Sequence, residues 1–306
     1  MRPRAMRHPL LALVVLLGAL LLSGGSHATP LAAARARLAP IAPTATPAPA
    51  WPNDGAVDHP VASAGCGVAP LTPPGATTQR SVAVNPATNA GFATRTYLLH
   101  VPQGYRAAQP TPLLLVFHGG GGTASGAEAS TGFSPFADQH HLLVVYPQGL
   151  PFSQIGPGYT TWAATGPLDS FAGGVDDLRF VSDLLDALQR QYCIDPQRIF
   201  ATGFSAGGAM TAFLTCGLTG RIAAFAPMSG DAYQFKGGCQ PRHPTSILEF
   251  HGGADPYELY GGIPAREDPD WRRTGVVEWL TSWATRDGCT TGPTSLLREP
   301  SVLGEQ

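Results

Sequence analysis

Six short apolar runs recur along this chain, and they are continuous rather than alternating. They read "TRTYLLHVP" (Thr94–Pro102), "TPLLLVFHG" (Thr111–Gly119), "HLLVVYP" (His141–Pro147), "RIFATG" (Arg198–Gly203), "AAFAPMSG" (Ala223–Gly230) and "SILEFHG" (Ser246–Gly252). A strand with one wet face alternates apolar and polar residues. A continuous run suits a strand covered on both faces, as in a parallel sheet. Helical segments fit between the runs. In "DDLRFVSDLLDALQRQY", Leu178, Val181, Leu185, Leu188 and Tyr192 recur at spacings of three and four, and Asp176 is placed to cap the helix. "GAMTAFLTC" and "DWRRTGVVEWLTSWATRDGC" are further helical segments. Strand–helix alternation predicts an α/β doubly wound, mostly parallel sheet, with active residues on loops beyond the carboxyl ends of the strands. Apolar residues make up 43% of the 306, enough for a sizeable core, and a net charge of −2 gives no electrostatic case for nucleic acid as a partner.

The first residues read as a targeting segment. Arg2, Arg4 and Arg7 precede an apolar stretch from Leu10 to Leu22, and Ser26-His27-Ala28 offers small residues for cleavage after Ala28. The stretch is too short for a spanning helix, so residues 1–28 are expected to be a signal peptide of a secreted protein with no stable membrane anchor. Residues 29–62, rich in Ala and Pro, read as an exposed linker, and the globular domain is expected over 63–306. Export makes the five cysteines, Cys66, Cys193, Cys216, Cys239 and Cys289, disulfide candidates. None forms a C-x-x-C pair, and an odd count leaves one free or partnered outside the chain.

The sequence "RIFATGFSAGGAM" puts Gly203-Phe204-Ser205-Ala206-Gly207 where a buried strand becomes a helix. G-x-S-x-G alone is a weak signal. A strand before it, a helix after it and glycines around it match a nucleophile elbow, where a tight turn thrusts the serine hydroxyl outward. Ser205 is therefore the expected nucleophile. The Ala206 N–H, at the start of the helix, is the expected first oxyanion donor. A second donor is expected from "VFHGGGGTAS" after the run ending at Phe117, with Gly120 the choice and Gly119 and Gly121 close behind. His118 in that motif is read as shaping the loop.

An orienting acid should follow the serine. Asp255, in "SILEFHGGADPYELYGG", lies in a loop after a strand, with a turn residue before Pro256 as the plain alternative. Asp231 is the runner-up, and Asp176 and Asp177 precede the serine at a helix start. The histidines are 8, 27, 59, 100, 118, 140, 141, 243 and 251, and none follows Asp255. His251 is too near Asp255 along a strand end to be a good base. With no HExxH and no compact His/Asp cluster, no metal is expected, and no cofactor either. Trp162, in "YTTWAATGP", reads either as an aromatic wall for substrate or as core.

Together, "SAGCG", "RTYLLHVPQGY", "TPLLLVFHGGGG", "CIDPQRIFATGFSAGGAMTAFLTC", "FAPMSG", "FHGGADPYELYGG" and "WATRDGC" resemble the secreted feruloyl esterases and their polyhydroxybutyrate-depolymerase-like relatives. The resemblance runs over about residues 63 to 290. It implies an α/β-hydrolase fold, acyl-enzyme chemistry, and an ester substrate in feruloylated plant cell-wall polysaccharide (xylan) or in a polyester. Ser205 takes the nucleophile's position in the family motif and Asp255 the acid's. The family's histidine sits in a "GGGHxWP"-like segment past the "DGC" helix, and a further cysteine follows there. The resemblance thus implies a C-terminally incomplete chain whose own activity is in doubt. Two rival readings accompany the feruloyl esterase: a depolymerase of short-chain polyhydroxyalkanoate, and a non-catalytic exported binder.

Overall fold

A computed structural model describes residues 58–152, 158–164, 175–230, 239, 241–262 and 274–292. The chain divides into two units, Met1–Thr46 and Pro47–Gln306, and every described residue lies in the second. The expected signal peptide, most of the linker and the runner-up acid Asp231 fall outside the described residues.

Five of the apolar runs become strands with nearly their expected bounds: β2 (Thr94–Val101), β3 (Thr111–Phe117), β4 (Leu143–Pro147), β7 (Ile194–Phe204) and β8 (Ala224–Met228). The sixth is shorter than its run. β9 covers only Ser246–Ile247, and the chain then touches β8 again through an isolated bridge between Met228 and Phe250. The strand β1 (Ala76–Ala83) was not visible as an apolar run, because "ATTQRSVA" is an edge strand with one buried residue. A two-stranded hairpin, β5 (Leu150–Pro151) with β6 (Thr160–Thr161), stands apart from the main sheet.

The main sheet has the order β1-β2-β4-β3-β7-β8-β9. β1, β2 and β4 pair antiparallel, and every pair from β4 through β3 to β9 is parallel. One face carries α3 (Asp177–Gln191) and α4 (Ala206–Leu214), which close the main core over Leu115, Ile199, Ala201 and Phe225. The other carries α1 (Ala124–Thr131) and α2 (Phe133–His140) over Val116, Val144 and Tyr146. Strands covered on both faces need no alternation, which is why the runs are continuous. Asp176 caps α3 as expected, its carboxylate accepting from the Arg179 N–H at 2.9 Å. The last helix, α5 (Val276–Arg286), sets Trp279 and Trp283 against Ala212 and Cys216. This is the α/β-hydrolase fold, with β3, β7 and β8 presenting their carboxyl ends side by side.

Ordered packing begins before residue 63. Asp58 is buried and accepts from the Gly220 N–H at 2.7 Å, and the Val61 carbonyl accepts from Gln189 Nε2 at 2.7 Å. Residues 58–62, expected as linker, are therefore tied to the body of the domain. Two disulfides staple it further, Cys66–Cys193 and Cys216–Cys239, while Cys289 is exposed and unpaired. Among the described residues no helix is long and apolar enough to cross a membrane.

The Cys66–Cys193 bridge closes a span of 127 residues and pins the first described turn to the start of β7. Replacing Cys66 by Ala should cost about 3 kcal/mol of unfolding free energy in urea titration. Cys289→Ser should change it by less than about 0.5 kcal/mol. Equal effects of the two substitutions would show that the staple contributes nothing.

Candidate active site

At Ser205 the chain turns from β7 into α4 with φ 54° and ψ −121°, a left-handed conformation that costs a non-glycine residue about 1–3 kcal/mol. Neighbouring main chain enforces it. A Cβ on Gly207 would overlap the Phe117 carbonyl oxygen and stand 2.7 Å from the His118 carbonyl. A Cβ on Gly203 would overlap the Gly207 carbonyl, and one on Gly208 would lie 2.5 Å from the Met228 carbonyl. These glycines let the ends of β3, β7 and β8 and the start of α4 pack backbone to backbone. The Ser205 N–H donates to the Met228 carbonyl at 2.9 Å. Ser205 itself is half-buried at the surface end of the sheet. Ala206 opens α4, where helix geometry leaves its N–H without an intrahelical acceptor.

The glycine loop lies against this turn. A Cβ on Gly119 would come 3.6 Å from Ser205 Cβ, so the loop and the expected nucleophile are neighbours. Hydrogen bonding sorts the candidate donors. The Gly121 N–H donates to the Thr160 carbonyl at 2.7 Å and the Gly122 N–H to the Gly119 carbonyl at 3.0 Å. The N–H groups of Gly119 and Gly120 have no acceptor among the described residues. Gly121, one of the three sequence candidates, is thereby excluded as a donor, and Gly120 keeps its availability. The β5–β6 hairpin, unseen in the sequence, clamps the loop from outside: Thr160 Oγ1 donates to the Gly122 carbonyl, and the Tyr159 phenol rests against Gly120 and Gly121.

His118 shapes this loop as a neutral imidazole. Its Nδ1 donates to the Gly119 carbonyl at 2.8 Å, and its Nε2 accepts from the Gly149 N–H at 3.0 Å and from Gln148 Nε2 at 3.3 Å. Those partners dictate the Nδ1–H tautomer. Burial holds its pKa below the ordinary 6.5. Trp162 is only 5% exposed, and its indole N–H donates to the His118 carbonyl at 2.8 Å. The tryptophan of the two-way sequence reading thus sits in the core, bracing the loop, with its edge to Phe117.

Asp255 lies at the same edge of the sheet. Its Oδ1 accepts from the N–H groups of Tyr257 and Glu258, both at 3.0 Å, the turn geometry that Pro256 suggests. Those backbone bonds come first in holding its carboxyl below the ordinary carboxylate range, with smaller help from the Ser229 hydroxyl and from His251. Ser229 follows Met228, whose carbonyl receives the Ser205 N–H, so one exit residue of β8 separates the serine turn from the acid. Ser229, at φ 49°, escaped the sequence reading; its only signal was the "MSG" after an apolar run. His251 stands 4.0 Å from Asp255 Oδ2 but is buried and engaged on both ring nitrogens, with Glu249 Oε1 at 3.1 Å and the Glu258 carbonyl at 2.6 Å. Among the described residues no histidine hydrogen-bonds the Ser205 hydroxyl, and no cluster of three or more metal-ligating side chains occurs.

An apolar cavity of about 330 Å³ opens beside the glycine loop, between Phe117, Gly119, Phe133, Phe204 and Met228. Phe204, paired with Met228 across β7 and β8, is 57% exposed directly before the serine. The site therefore combines a half-buried serine on a strained turn, the N–H groups of Ala206, Gly119 and Gly120 with no acceptor among the described residues, a fixed carboxylate and an apolar chamber.

Part of the chain matches a known family. Residues 95–236 match the family described as Esterase PHB depolymerase. Feruloyl esterase B of Piromyces equi is 30% identical over 204 residues, 65% of this chain and 37% of that protein. The bifunctional acetylxylan esterase/xylanase XynS20E of Neocallimastix patriciarum is 32% identical over 157 residues, 51% of this chain and 21% of that protein. Poly(3-hydroxyalkanoate) depolymerase C of Paucimonas lemoignei is 31% identical over 135 residues, 44% of this chain and 31% of that protein. The chain spans between about a fifth and two fifths of these relatives' lengths.

Two outcomes follow from the packing and protonation described. Gly207→Ala must push α4 off Phe117, and since the obstacle is backbone it should cost about 3 kcal/mol by urea unfolding. Gly253→Ala, with nothing within 4 Å, should cost less than about 0.5 kcal/mol. His118, with its pKa depressed on folding, binds fewer protons in the folded state than in the unfolded chain. Its contribution is complete above the ordinary value of 6.5 and is lost progressively as pH falls below it. Stability measured between pH 6.5 and about pH 5 should therefore decline in the parent protein, and His118→Gln should flatten that slope.

Proposed function

We propose that this chain, in which residues 95–236 match the family described as Esterase PHB depolymerase, is a serine ester hydrolase of the feruloyl-esterase type. The observation that carries the reading is the closeness of the strained Ser205 turn to the glycine loop at Gly119, where the N–H groups of Gly119 and Gly120 have no acceptor among the described residues. In this reading the Ser205 hydroxyl attacks the ester carbonyl and a base takes its proton. The Ala206 and Gly120 N–H groups receive the negative charge on the carbonyl oxygen. The C–O bond to the alcohol then breaks, leaving an acyl-serine that water releases as the acid. Asp255 is the carboxylate that would orient an imidazole in this sequence of steps.

The chamber supports a reading of the substrate class. Its lining by Phe117, Phe133, Phe204 and Met228 suits a flat aromatic acyl group such as a hydroxycinnamoyl ester, and 330 Å³ is at the lower end of the range for small-ligand pockets. The similarity to a feruloyl esterase and to an acetylxylan esterase/xylanase favours an ester carried on xylan. A polyester reading has its own support in the exposed Phe204 and in the depolymerase relative. Two disulfides and the leader-like first residues support export to an oxidising compartment.

A fluorophosphonate probe tests the nucleophile. The full chain should be modified at Ser205, located by peptide mass spectrometry, and Ser205→Ala should not be modified. Because no described histidine reaches the hydroxyl, the reaction is expected to be slow, on the order of 10³-fold or more below that of a complete triad. Free imidazole should speed it. Modification of the alanine variant at an equal rate would end the proposal. Turnover of 3-hydroxybutyrate oligomers without turnover of methyl ferulate would move the substrate to the polyester class.

A further inference from the structure

Behind the glycine loop, one layer from the site, lies a charge pair that the chemistry above does not use. Arg95, on β2, and Asp177, at the first turn of α3, stand 2.8 Å apart with both side chains wholly buried. Removing two charges from water is unfavourable, and an apolar pair of similar volume often serves a core as well. What distinguishes this pair is where its remaining bonds lead. Arg95 Nη2 donates to the Gln148 carbonyl at 3.2 Å, Nη1 donates to Asn89 Oδ1 at 3.1 Å, and the guanidinium lies 3.9 Å over the Phe180 ring. Asp177 Oδ2 accepts from the Ala163 N–H at 2.7 Å.

Both outgoing routes end on the same residue. From Gln148, the side chain donates to His118 Nε2, the following Gly149 N–H does the same, and Gln148 Oε1 receives the Ala124 N–H at 2.9 Å. From Ala163, the preceding Trp162 donates to the His118 carbonyl. His118 in turn holds the Gly119 carbonyl. The ring and the carbonyl of one histidine are thus each gripped by a segment anchored on the pair. We propose that Arg95 and Asp177 are positioning residues for the oxyanion loop, acting through Gln148–Gly149 on one side and Trp162–Ala163 on the other. This rests on the esterase reading for its catalytic meaning, though the mechanical claim stands by itself.

A second ion pair, with a buried guanidinium and a partly exposed carboxylate, supplies the control. Arg221 lies 2.8 Å from Asp186 and also bonds Ser182 and Gln189, far along α3 from the loop. Three variants of the full chain are compared: Asp177→Asn, Trp162→Phe, which leaves the ion pair intact and removes one bond to His118, and Arg221→Met. The readouts are thermal stability, amide exchange of Gly121, Gly122 and Gly149, and the rate of fluorophosphonate attack on Ser205. Asp177→Asn should raise exchange at those amides at least tenfold and slow the labelling by about 10- to 100-fold. Trp162→Phe should do the same to a lesser degree, about threefold to tenfold, and it serves alone if Asp177→Asn does not fold. Arg221→Met should lose comparable thermal stability with exchange and labelling within twofold of the parent. If all three variants change exchange at the loop equally, or Trp162→Phe changes neither readout, the positioning role is refuted. If the parent fails to label at all, the esterase reading fails while the exchange measurements still decide the mechanical claim.

Discussion

The carbonyl oxygens of Phe117 and His118 stand so close to Gly207 that no side chain fits between them, and that approach is what the site depends on. It brings the exit of β3 against the first turn of α4. Gly203 allows the same closeness on the β7 side, and Gly208 and Gly230 on the β8 side. With three strand ends and one helix start fixed in contact, Ser205 has one conformation open to it, the left-handed one at φ 54°. The strain of about 1–3 kcal/mol is held by packing on every side of it. Both the Ser205 turn and its neighbouring amide groups are thereby positioned by main chain.

Hydrogen bonding in the glycine loop is divided in the same spirit. Of four successive glycine N–H groups, those of Gly121 and Gly122 are engaged in holding the loop shape, and those of Gly119 and Gly120 have no acceptor among the described residues. The groups that hold the loop are neutral: an imidazole in its Nδ1–H tautomer, an amide side chain, an indole N–H and a threonine hydroxyl. A protonated His118 would leave the buried Gly149 N–H facing a donor, so the same bonds that shape the loop also keep a positive charge out of it. Charge enters one layer further back, at Arg95 and Asp177, where full burial on both partners makes the geometry stiff without placing an ion beside the reacting atoms.

How much of this was legible in the sequence depends on whether a residue's role is local. Continuous apolar runs marked β2, β3, β4, β7 and β8 because burial on both faces is written in every residue of such a strand. Ser205 and the glycines were legible for the same reason: a cramped turn between a strand and a helix demands small neighbours in sequence. The edge strand β1 carries too few buried residues to leave a pattern. The β5–β6 hairpin is two residues a side, and its importance lies in contacts with Gly121 and Gly122 about forty positions earlier. Choosing among Gly119, Gly120 and Gly121 needed to know that Thr160 claims one of them. Arg95 inside an apolar strand and a second aspartate after the cap of α3 were the available hints of the buried pair, but pairing residues 82 positions apart is a tertiary fact.

The two carboxylates at this end of the sheet show how differently a negative charge can be kept. Asp177 is held by a buried guanidinium and serves structure. Asp255 is held chiefly by two backbone N–H groups of its own turn, near solvent, with only a smaller contribution from His251. Oδ1 of Asp255 therefore fixes the loop, and its carboxylate also meets the Ser229 hydroxyl. His251 approaches that second oxygen only to 4.0 Å, because its ring is committed to Glu249 and to the Glu258 carbonyl. Recruiting His251 as a base would break both contacts in a buried setting, whereas an imidazole arriving from the solvent side would find the carboxylate already oriented and ionised. The Ser205 turn, the glycine loop and the Asp255 turn, the three parts that the proposed reaction would use, are thus each held by main-chain bonds of their own.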